Sequence, residues 1–279
     1  METFTSSAGI RIPRIIYGTA WKKADTARLV TAALLQGFHG IDTACQPKHY
    51  EESGVGEGLA TAARNGATRT HLYLQTKFTP LSGHDPQRIP YDPQASIAEQ
   101  VAQSFEASLR NLRTGRLDCL VLHSPLPTLA LTHEAWQAME ARVDSGHVGQ
   151  LGISNCYQLR QFQSLYAAAR IKPAVLQNRF CAETRYDPEI RAFCRENGVI
   201  YQSFWTLTAN PHILSHRTVM ALAEKYQRTT AQILFRYLTQ VGVAPLTGTR
   251  SEAHMREDLA IFEFELTEPE QAQVTALLH

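Results

Sequence analysis

The sequence predicts an α/β protein built as a closed parallel (β/α)8 barrel, the TIM barrel, in a single domain of residues 1–279 with a short N-terminal hairpin. Short apolar runs alternate with amphipathic helical stretches along the whole chain of 279 residues. No linker rich in proline, glycine or serine interrupts this alternation. A doubly wound open sheet is the alternative, but eight strand–helix units without a linker favour closure of the sheet.

The predicted strands are short apolar runs bounded by glycine or polar turn residues. An extended pair within residues 4–13, with Ser-Ser-Ala-Gly between its halves, precedes them and predicts the hairpin. In chain order the eight strands cover residues 14–17, 40–41, 72–76, 117–122, 149–153, 174–177, 199–204 and 243–246.

The helices follow from capping residues and from apolar residues at helical spacing. Asp25 can cap the first helix, and Gly37 can end it. Two helices are marked by apolar stripes: Ile97, Val101, Phe105 and Leu112, then Trp136, Met139 and Val143. The others cover residues 26–36, about 54–65, about 157–169, 187–197, 217–240 and about 252–262, and a last one follows Thr267. The glycines of residues 54–58 lack the G-x-G-x-x-G spacing, so they predict close helix packing without phosphate binding.

The composition excludes several classes of function. Hydrophobic residues make up 44% and charged residues 19%, which is ordinary for a globular chain with a large core. A formal net charge of +1 provides no basic field for nucleic acid and no polybasic tract for a membrane surface. No apolar run could span a bilayer, and residues 1–4 do not begin a signal peptide. We therefore expect a cytoplasmic protein that acts on a small molecule, with no obligate protein partner.

The cysteines indicate free thiols. There are five, an odd number, and they are scattered without a C-x-x-C pair. This pattern argues against a disulfide framework and against a zinc site. Histidines and carboxylates are also not paired at ligand spacing, so we predict no metal and no metal-dependent hydrolysis.

Three ionisable residues follow consecutive predicted strands. Asp42 follows the second strand, Lys77 the third and His123 the fourth, while Tyr50 lies in the loop after Asp42. The carboxyl ends of barrel strands meet at one mouth, where catalytic residues of this fold lie. Individually, Asp42 could cap the next helix, and the lysine or histidine could be solvated. Together they predict a catalytic site.

These four side chains suit the reduction of a carbonyl group. A tyrosine hydroxyl has a reference pKa of about 10, and a neighbouring ammonium group lowers that pKa. A carboxylate beside the ammonium keeps it charged, and a neutral imidazole can orient a substrate oxygen. The set therefore predicts a tyrosine that protonates the oxygen while hydride reaches the carbon.

Several segments carry a resemblance to a known family. They are Gly18-Thr19-Ala20-Trp21, Gly40-Ile41-Asp42-Thr43-Ala44, Thr76-Lys77, Leu120-Val121-Leu122-His123-Ser124-Pro125, Gly152-Ile153-Ser154-Asn155 and Gln177. The chain resembles the aldo-keto reductases, barrels that use a nicotinamide cofactor without a Rossmann domain. The resemblance implies NADPH, with NADH less expected, and catalytic roles for Asp42, Lys77 and His123. It also implies that Ser154, Asn155 and Gln177 hydrogen-bond the nicotinamide amide, and that Gly18 and Thr19 contact the cofactor.

The catalytic tyrosine is the first departure from the family pattern. The usual position, five residues after the aspartate, is Pro47 here, and the loop carries roughly two extra residues. Counting back from Gly56 puts His49 near the tyrosine position, with Tyr50 beside it. We predict Tyr50 as the general acid, because a phenol fits the chemistry above.

The cofactor-binding residues depart in two further places. Phe204 stands where the family stacks a tyrosine on the nicotinamide, and its alternative role is core packing. The lysine that grips phosphate after the eighth strand is missing, and Arg250 is the nearby guanidinium that could bind a 2′-phosphate. The remaining predicted cofactor contacts are Gly248, Thr249, His254, Glu257 and Asp258.

The predicted substrate pocket is formed by aromatic side chains near the barrel mouth. Its residues are Trp21, His49, Phe78 and Trp205. The proline-containing loop of residues 78–95 is long for its position and is predicted to act as a lid or pocket wall. Two alternative functions are an aldolase that forms a Schiff base with Lys77 and a redox-sensing subunit that binds cofactor with little turnover.

Overall fold

Eight parallel strands close into one barrel in chain order, which confirms the predicted fold. The structure, a computed structural model, describes residues 2–278. Neighbouring barrel strands are consecutive along the chain, and the last pairs with the first. The barrel strands are β3 (Ile16–Gly18), β4 (Gly40–Asp42), β5 (Tyr73–Phe78), β6 (Leu117–Leu122), β7 (Val148–Ser154), β8 (Val175–Arg179), β9 (Ile200–Phe204) and β10 (Val243–Thr247).

Helices surround the barrel and cover its outer face. They are α1 (Thr26–Gln36), α2 (Glu52–Arg64), α3 (Ile97–Leu112), α4 (Leu129–Asp144), α5 (Leu159–Ala168), α6 (Pro188–Glu196), α7 (Pro211–Leu214), α8 (Arg217–Tyr226), α9 (Thr230–Gln240), α10 (Glu252–Leu259) and α11 (Glu268–Thr275). The main apolar core lies between strands and helices. Helix α2 packs tightly through its glycines, since a Cβ on Gly56 would lie 2.0 Å from the Asn111 carbonyl oxygen.

The N-terminal hairpin closes the end of the barrel opposite the strand carboxyl ends. Strands β1 (Thr3–Thr5) and β2 (Arg11–Pro13) pair antiparallel, as predicted. The Ser6 hydroxyl donates to Gln150 Oε1 at 2.6 Å, and the Ser7 amide donates to the Gly198 carbonyl at 3.0 Å. Gln150 lies near the start of β7 and Gly198 just before β9, so the hairpin covers the N-terminal mouth.

The barrel interior contains a buried layer of amide side chains. Gln75 and Gln202 form a reciprocal pair: Gln75 Nε2 lies 2.7 Å from Gln202 Oε1, and Gln202 Nε2 lies 3.0 Å from Gln75 Oε1. Both residues are fully buried. Gln177 Nε2 also donates to Gln202 Oε1, at 2.9 Å. Because TIM barrels mostly fill their interiors with branched aliphatic residues, this polar layer is unusual, and it lies directly beneath the candidate site.

Several local features differ from prediction, and three of them have a clear structural basis. Residues 217–240 form two helices, because Gln227 adopts a left-handed conformation (φ 53°) and Thr229 starts α9 with a capping box. Beyond α10, residues 260–263 form a 3-10 turn. Asp25 precedes α1 but makes no capping hydrogen bond, because its carboxylate pairs with Arg28 and Arg250.

The five cysteines are buried and form no disulfide. Among the helices of residues 2–278, none combines the length and the apolar character needed to cross a membrane.

Candidate active site

The ionisable side chains predicted from the sequence meet at the carboxyl ends of the barrel strands. Asp42 ends β4, Lys77 lies near the end of β5, and His123 directly follows β6. Asp42, Tyr50 and His123 line a cleft of about 970 Å³, and the ammonium group of Lys77 lies behind Asp42. Closure of the barrel thus brings together Asp42 and His123, which are 81 positions apart in the chain.

Lys77 and Asp42 form a buried ion pair. Lys77 Nζ lies 2.6 Å from Asp42 Oδ1 and donates to the Thr43 carbonyl at 2.9 Å. The same carboxylate oxygen accepts hydrogen bonds from Gln75 (2.6 Å) and Gln177 (3.0 Å). Burial lowers the pKa of Lys77, and the charge of Asp42 opposes that shift. A buried pair with its hydrogen bonds made in this way holds both side chains in a defined position.

Tyr50 lies against this pair with its ring facing the cleft. The ring centroid is 5.3 Å from Lys77 Nζ and 6.0 Å from the centroid of the His123 ring. Within residues 2–278 the Tyr50 hydroxyl makes no hydrogen bond. Burial raises the pKa of Tyr50 and the charge of Asp42 raises it further, contrary to the expected lowering by lysine. The lysine charge is matched by Asp42, so the phenol stays protonated near neutral pH.

His123 is held as a neutral imidazole. Burial lowers its pKa well below 6.5, and the charges of Lys77, His84 and His49 lower it further. Its Nδ1 lies 2.7 Å from the hydroxyl of Thr79. The other ring nitrogen can then face a ligand in the cleft, where a neutral imidazole can orient an oxygen atom.

The loop after β5 supports His123 through Thr79. The Thr79 carbonyl accepts hydrogen bonds from Tyr91 Oη (2.8 Å) and from His84 Nε2 (3.0 Å). Gln46 Nε2 donates to the Gly83 carbonyl at 2.7 Å. Two contacts therefore fasten the loop to the site, Thr79 to His123 and Gly83 to Gln46, while the bonds of Tyr91 and His84 to Thr79 hold the loop together. Residues 79–94 do not line the cleft, so their role as a lid or pocket wall stays a prediction.

A turn around Gln46 separates the two candidates for the general acid. The amides of His49 and Tyr50 both donate to the Gln46 carbonyl, at 3.1 and 3.0 Å. This turn directs Tyr50 toward Lys77. It leaves the His49 ring 3.9 Å from the ring of Trp21, an indole that is half exposed at the cleft rim.

The cleft continues from the ionisable residues across the barrel mouth toward α10. Gln177 directs its side-chain amide nitrogen to Asp42 and Gln202, and within residues 2–278 its side-chain oxygen Oε1 accepts no hydrogen bond. That oxygen is free to accept a hydrogen bond from a ligand. The predicted cofactor residues that line the cleft are Gly18, Ser154, Asn155, Gln177, Phe204, Gly248, Thr249, His254, Glu257 and Asp258.

Asp258 is also held by the protein itself. It accepts a hydrogen bond from the Thr247 hydroxyl at 2.7 Å, and burial raises its pKa to about 7. One oxygen of its carboxyl group is therefore already hydrogen-bonded to the end of β10.

Lys22 is a cleft residue that sequence reasoning missed. It is buried, and its ammonium group donates to the Gly248 carbonyl. A Cβ on Gly248 would lie 3.3 Å from Lys22 Nζ, so the lysine occupies the space beside this glycine. Burial, and then the charge of Arg250, lower the pKa of Lys22 to about 8. The sequence signal was a lysine directly after Trp21, opposite a loop that lacks the expected lysine.

Three predicted contact residues lie outside the cleft wall. Arg250 is half exposed and donates from Nη2 to the carbonyls of Trp21 (2.9 Å) and Lys22 (3.1 Å). Thr19 is buried and donates to the Asp42 carbonyl at 2.9 Å. Phe78 packs in the core, 5.7 Å from the ring of Tyr91, because its side chain points away from the mouth. The predicted pocket residues Trp21, His49 and Trp205 do line the cleft.

A sequence model described as the aldo/keto reductase family matches residues 14–279. An uncharacterized oxidoreductase, YtbE of Bacillus subtilis, is 28% identical over 91% of this chain and 84% of its own. The NADPH-dependent alpha-keto amide reductase of Saccharomyces cerevisiae is 27% identical over 99% of this chain and 90% of its own. The crystal structure of an aldo/keto reductase from Brucella melitensis superposes with a TM-score of 0.83 at 25% identity, covering 99% of each chain.

Proposed function

The chain belongs to the aldo/keto reductase family, and from this membership we propose that it reduces aldehydes or ketones with NADPH, using Tyr50 as the proton donor. The observation that carries the proposal is the buried Asp42–Lys77 pair beside the Tyr50 ring, together with the neutral His123, whose ring meets that of Tyr50 edge-on. Cyclic imines are a further candidate substrate class, since reduction of C=N also needs a hydride and a proton.

The cleft fits a nicotinamide dinucleotide. Near the catalytic residues, the free side-chain oxygen of Gln177 and the side chains of Ser154 and Asn155 suit the carboxamide, and the Phe204 ring suits stacking. At the other end Lys22 supplies a buried cation beside Gly248 for a phosphate group. We propose that these residues hold NADPH, which supplies the hydride when bound.

The protein side chains then orient the substrate oxygen and donate a proton to it. His123 orients the carbonyl oxygen, and Tyr50 transfers its phenolic proton to that oxygen as negative charge develops there. The product is an alcohol, and the tyrosinate that remains is reprotonated from solvent. The positive charge of Lys77 lies 5.3 Å from the Tyr50 ring and stabilises the tyrosinate during this step.

The structure weakens the aldolase alternative. Lys77 is 1% exposed, and its ammonium group is committed to Asp42 and the Thr43 carbonyl. A Schiff base needs a neutral amine that a carbonyl carbon can reach. Borohydride trapping on Lys77 without a nicotinamide would nevertheless reverse this conclusion.

A panel of aldehydes, ketones and cyclic imines tests the proposed function. We expect steady-state oxidation of NADPH with at least one class, at a rate proportional to enzyme concentration. A single turnover followed by no further oxidation would instead favour a cofactor-binding subunit. Absence of both turnover and NADPH binding would refute the proposal.

Lys22→Gln should weaken NADPH binding by roughly tenfold to a hundredfold, because a hydrogen bond to a charged group contributes about 1.5–3 kcal/mol. Calorimetric titration with NADPH measures the effect. In the unsubstituted protein, affinity should also fall as pH rises above about 8, where Lys22 loses its proton. Lys22→Arg should abolish this pH dependence, since a guanidinium stays charged.

Lys23 provides the matched control for that experiment. It is the neighbouring lysine and is exposed, so Lys23→Gln should leave the NADPH dissociation constant within about twofold. Equal losses of NADPH affinity in the two variants would mean that only the net charge matters. Lys22 would then have no specific role in binding the cofactor.

Arg250→Ala should weaken NADPH binding by about tenfold and leave NADH binding nearly unchanged if the guanidinium binds the 2′-phosphate. The two dissociation constants measured on one variant provide an internal control. Equal losses for both cofactors would instead assign Arg250 to fastening the loop that carries Lys22, as its bonds to the Trp21 and Lys22 carbonyls suggest.

A further inference from the structure

Arg179 occupies a position in the barrel that directs its side chain toward the candidate site. It is the last residue of β8, two positions after Gln177, and alternate residues of a strand share one face. Arg179 therefore lies on the face that carries Gln177, roughly 7 Å nearer the cleft mouth. Its partner in register on β9 is Phe204, and both residues line the cleft.

Arg179 contacts two aromatic residues, Trp205 through its guanidinium group and Tyr157 through its backbone amide. Its Cζ lies 4.1 Å from the centroid of the Trp205 ring. The Arg179 amide donates to the Tyr157 hydroxyl at 3.1 Å, and that hydroxyl donates to Asn155 Oδ1 at 3.1 Å. A guanidinium stacked on an indole keeps its N–H groups directed outward in its own plane, where they can bind a planar anion.

Trp205, on which the Arg179 guanidinium stacks, has an unusual backbone conformation and an exposed side chain. The residue adopts a left-handed backbone conformation (φ 56°), which is uncommon for a bulky side chain, and its indole is 47% exposed. An exposed indole in a strained conformation at the cleft mouth is unexplained by core packing. Such strain tends to occur where a ligand is bound.

Arg179 has no acidic partner in the protein. No carboxylate of residues 2–278 lies within ion-pair distance of its guanidinium. The pKa of the exposed Glu183 is lowered chiefly by a hydrogen bond from the Cys181 thiol, and only weakly by the charge of Arg179. Among the acidic residues lining the cleft, Asp42 is already paired with Lys77, and Glu257 and Asp258 belong to α10.

We propose that Arg179 binds a carboxylate of the substrate, so that the protein reduces oxo acids whose carboxylate and carbonyl are joined by a short or aromatic spacer. The inference rests on the proposed carbonyl reduction and names its substrate class. Gln177 lies two residues before Arg179 on the same face of β8 and donates to Asp42 at 3.0 Å. A substrate whose carboxylate binds Arg179 would therefore extend toward Tyr50 and His123. Trp21 and Trp205 provide apolar walls for the spacer.

A phosphate of the cofactor is the other anion to consider. The cation suited to that phosphate is Lys22, which contacts Gly248 after β10. Arg179 instead lies at the end of β8, beside the residues proposed to hold the nicotinamide. The two cations therefore serve different parts of the cleft, and measurements of substrate and cofactor can separate them.

Matched aldehydes provide the test. We compare kcat/KM for para-carboxybenzaldehyde with that for para-tolualdehyde, which has a methyl group in place of the carboxylate. The unsubstituted protein should favour the acid by tenfold or more. Arg179→Gln should lower kcat/KM for the acid by roughly tenfold to a hundredfold, mainly through a higher KM. The same substitution should change kcat/KM for the neutral aldehyde by less than about twofold. Arg179→Lys should restore part of the preference, since it keeps the charge without the planar fork.

Arg185→Gln is the control for net charge, because Arg185 is an exposed arginine in the turn after β8. It should leave the preference for the acid unchanged. Equal kcat/KM for the two aldehydes in the unsubstituted protein would overturn the inference. A loss in Arg179→Gln that is equal for both aldehydes and accompanied by weaker NADPH binding would also overturn it, and would assign Arg179 to the cofactor.

A binding measurement distinguishes this inference from the proposed function. Calorimetric titration with benzoate and with benzamide requires no turnover. Benzoate should bind more tightly than benzamide to the unsubstituted protein, and Arg179→Gln should remove the difference. If neither these aldehydes nor any compound of the panel is reduced but this difference is found, the proposed reaction is wrong and the carboxylate site remains. If both are reduced and benzoate has no advantage, the carboxylate site is wrong and the proposed reaction remains.

Discussion

Tyr50→Phe should lower kcat for carbonyl reduction by roughly 10²–10⁴-fold, the usual contribution of a positioned general acid. The substitution removes only the hydroxyl. The ring contacts with Lys77 and His123 remain, so the fold and the affinity for NADPH should be unchanged. Steady-state kinetics measure the loss, and titration of the variant with NADPH checks that the cofactor site is intact.

His49→Ala provides the comparison for this experiment. His49 stacks on Trp21 at the rim of the cleft, so its loss should affect KM more than kcat. If activity survives Tyr50→Phe and disappears in His49→Ala, the His49 imidazole is the proton donor and the assignment to Tyr50 is wrong.

The pH dependence of kcat separates the same two donors. Burial and then the charge of Lys48 lower the pKa of His49 below 6.5, although a hydrogen bond with the Lys48 backbone opposes that shift. An imidazolium donor would therefore lose its proton, and the enzyme its activity, as pH rises through the range below neutrality. The pKa of Tyr50 is raised by burial and by Asp42, so a phenol donor keeps its proton between pH 6 and 9. We expect a flat profile over about that range, since a phenol has a reference pKa near 10 before any shift.

Lys77→Met should produce the second large effect, lowering kcat by about 10²-fold or more while NADPH still binds. The ammonium group supplies the positive charge behind Tyr50, and methionine fills a similar volume without that charge. The substitution also leaves Asp42 buried beside neutral amides, which we expect to cost about 3–5 kcal/mol of unfolding free energy. Steady-state kinetics and urea denaturation measure the two losses.

The double variant Asp42→Asn, Lys77→Met separates catalysis from stability. The double variant has no unpaired carboxylate, so it should recover most of the unfolding free energy that Lys77→Met loses. The value of kcat should stay low, because the positive charge behind Tyr50 is still absent. Recovery of kcat together with stability would mean that Lys77 has a purely structural role.

Much of the fold could be read from local patterns. Strand β6 and helix α1 have the predicted limits, because apolar runs and capping signals act over a few residues. Helices α8 and α9 were predicted as one, since the left-handed turn at Gln227 has no strong signal in its side chain. The placement of Asp42, Lys77 and His123 at one mouth followed from their positions at the ends of parallel strands.

Other features of the site depend on contacts between distant parts of the chain. Lys22 and Gly248 are 226 positions apart, and their contact exists only because β10 pairs with β3 to close the barrel. Gln75 and Gln202 are 127 positions apart, and no periodicity indicates that they pair beneath Asp42. The direction of a loop side chain, such as Tyr50 toward Lys77, depends on a turn around Gln46 that spacing alone does not define.

The sequence by itself determined the barrel, the family resemblance and which residue types stand at the strand ends, because hydrophobic periodicity and strand direction are local properties. The tertiary structure alone decided that Lys22 stands beside Gly248, that Arg250 donates to the Trp21 and Lys22 carbonyls, and that Arg179 faces the cleft without an acidic partner among residues 2–278. It also decided that Asp42 matches the charge of Lys77, and that burial, together with the charge of Asp42, raises the pKa of Tyr50. Burial and long-range charge pairs set these properties, and both exist only when the barrel is closed.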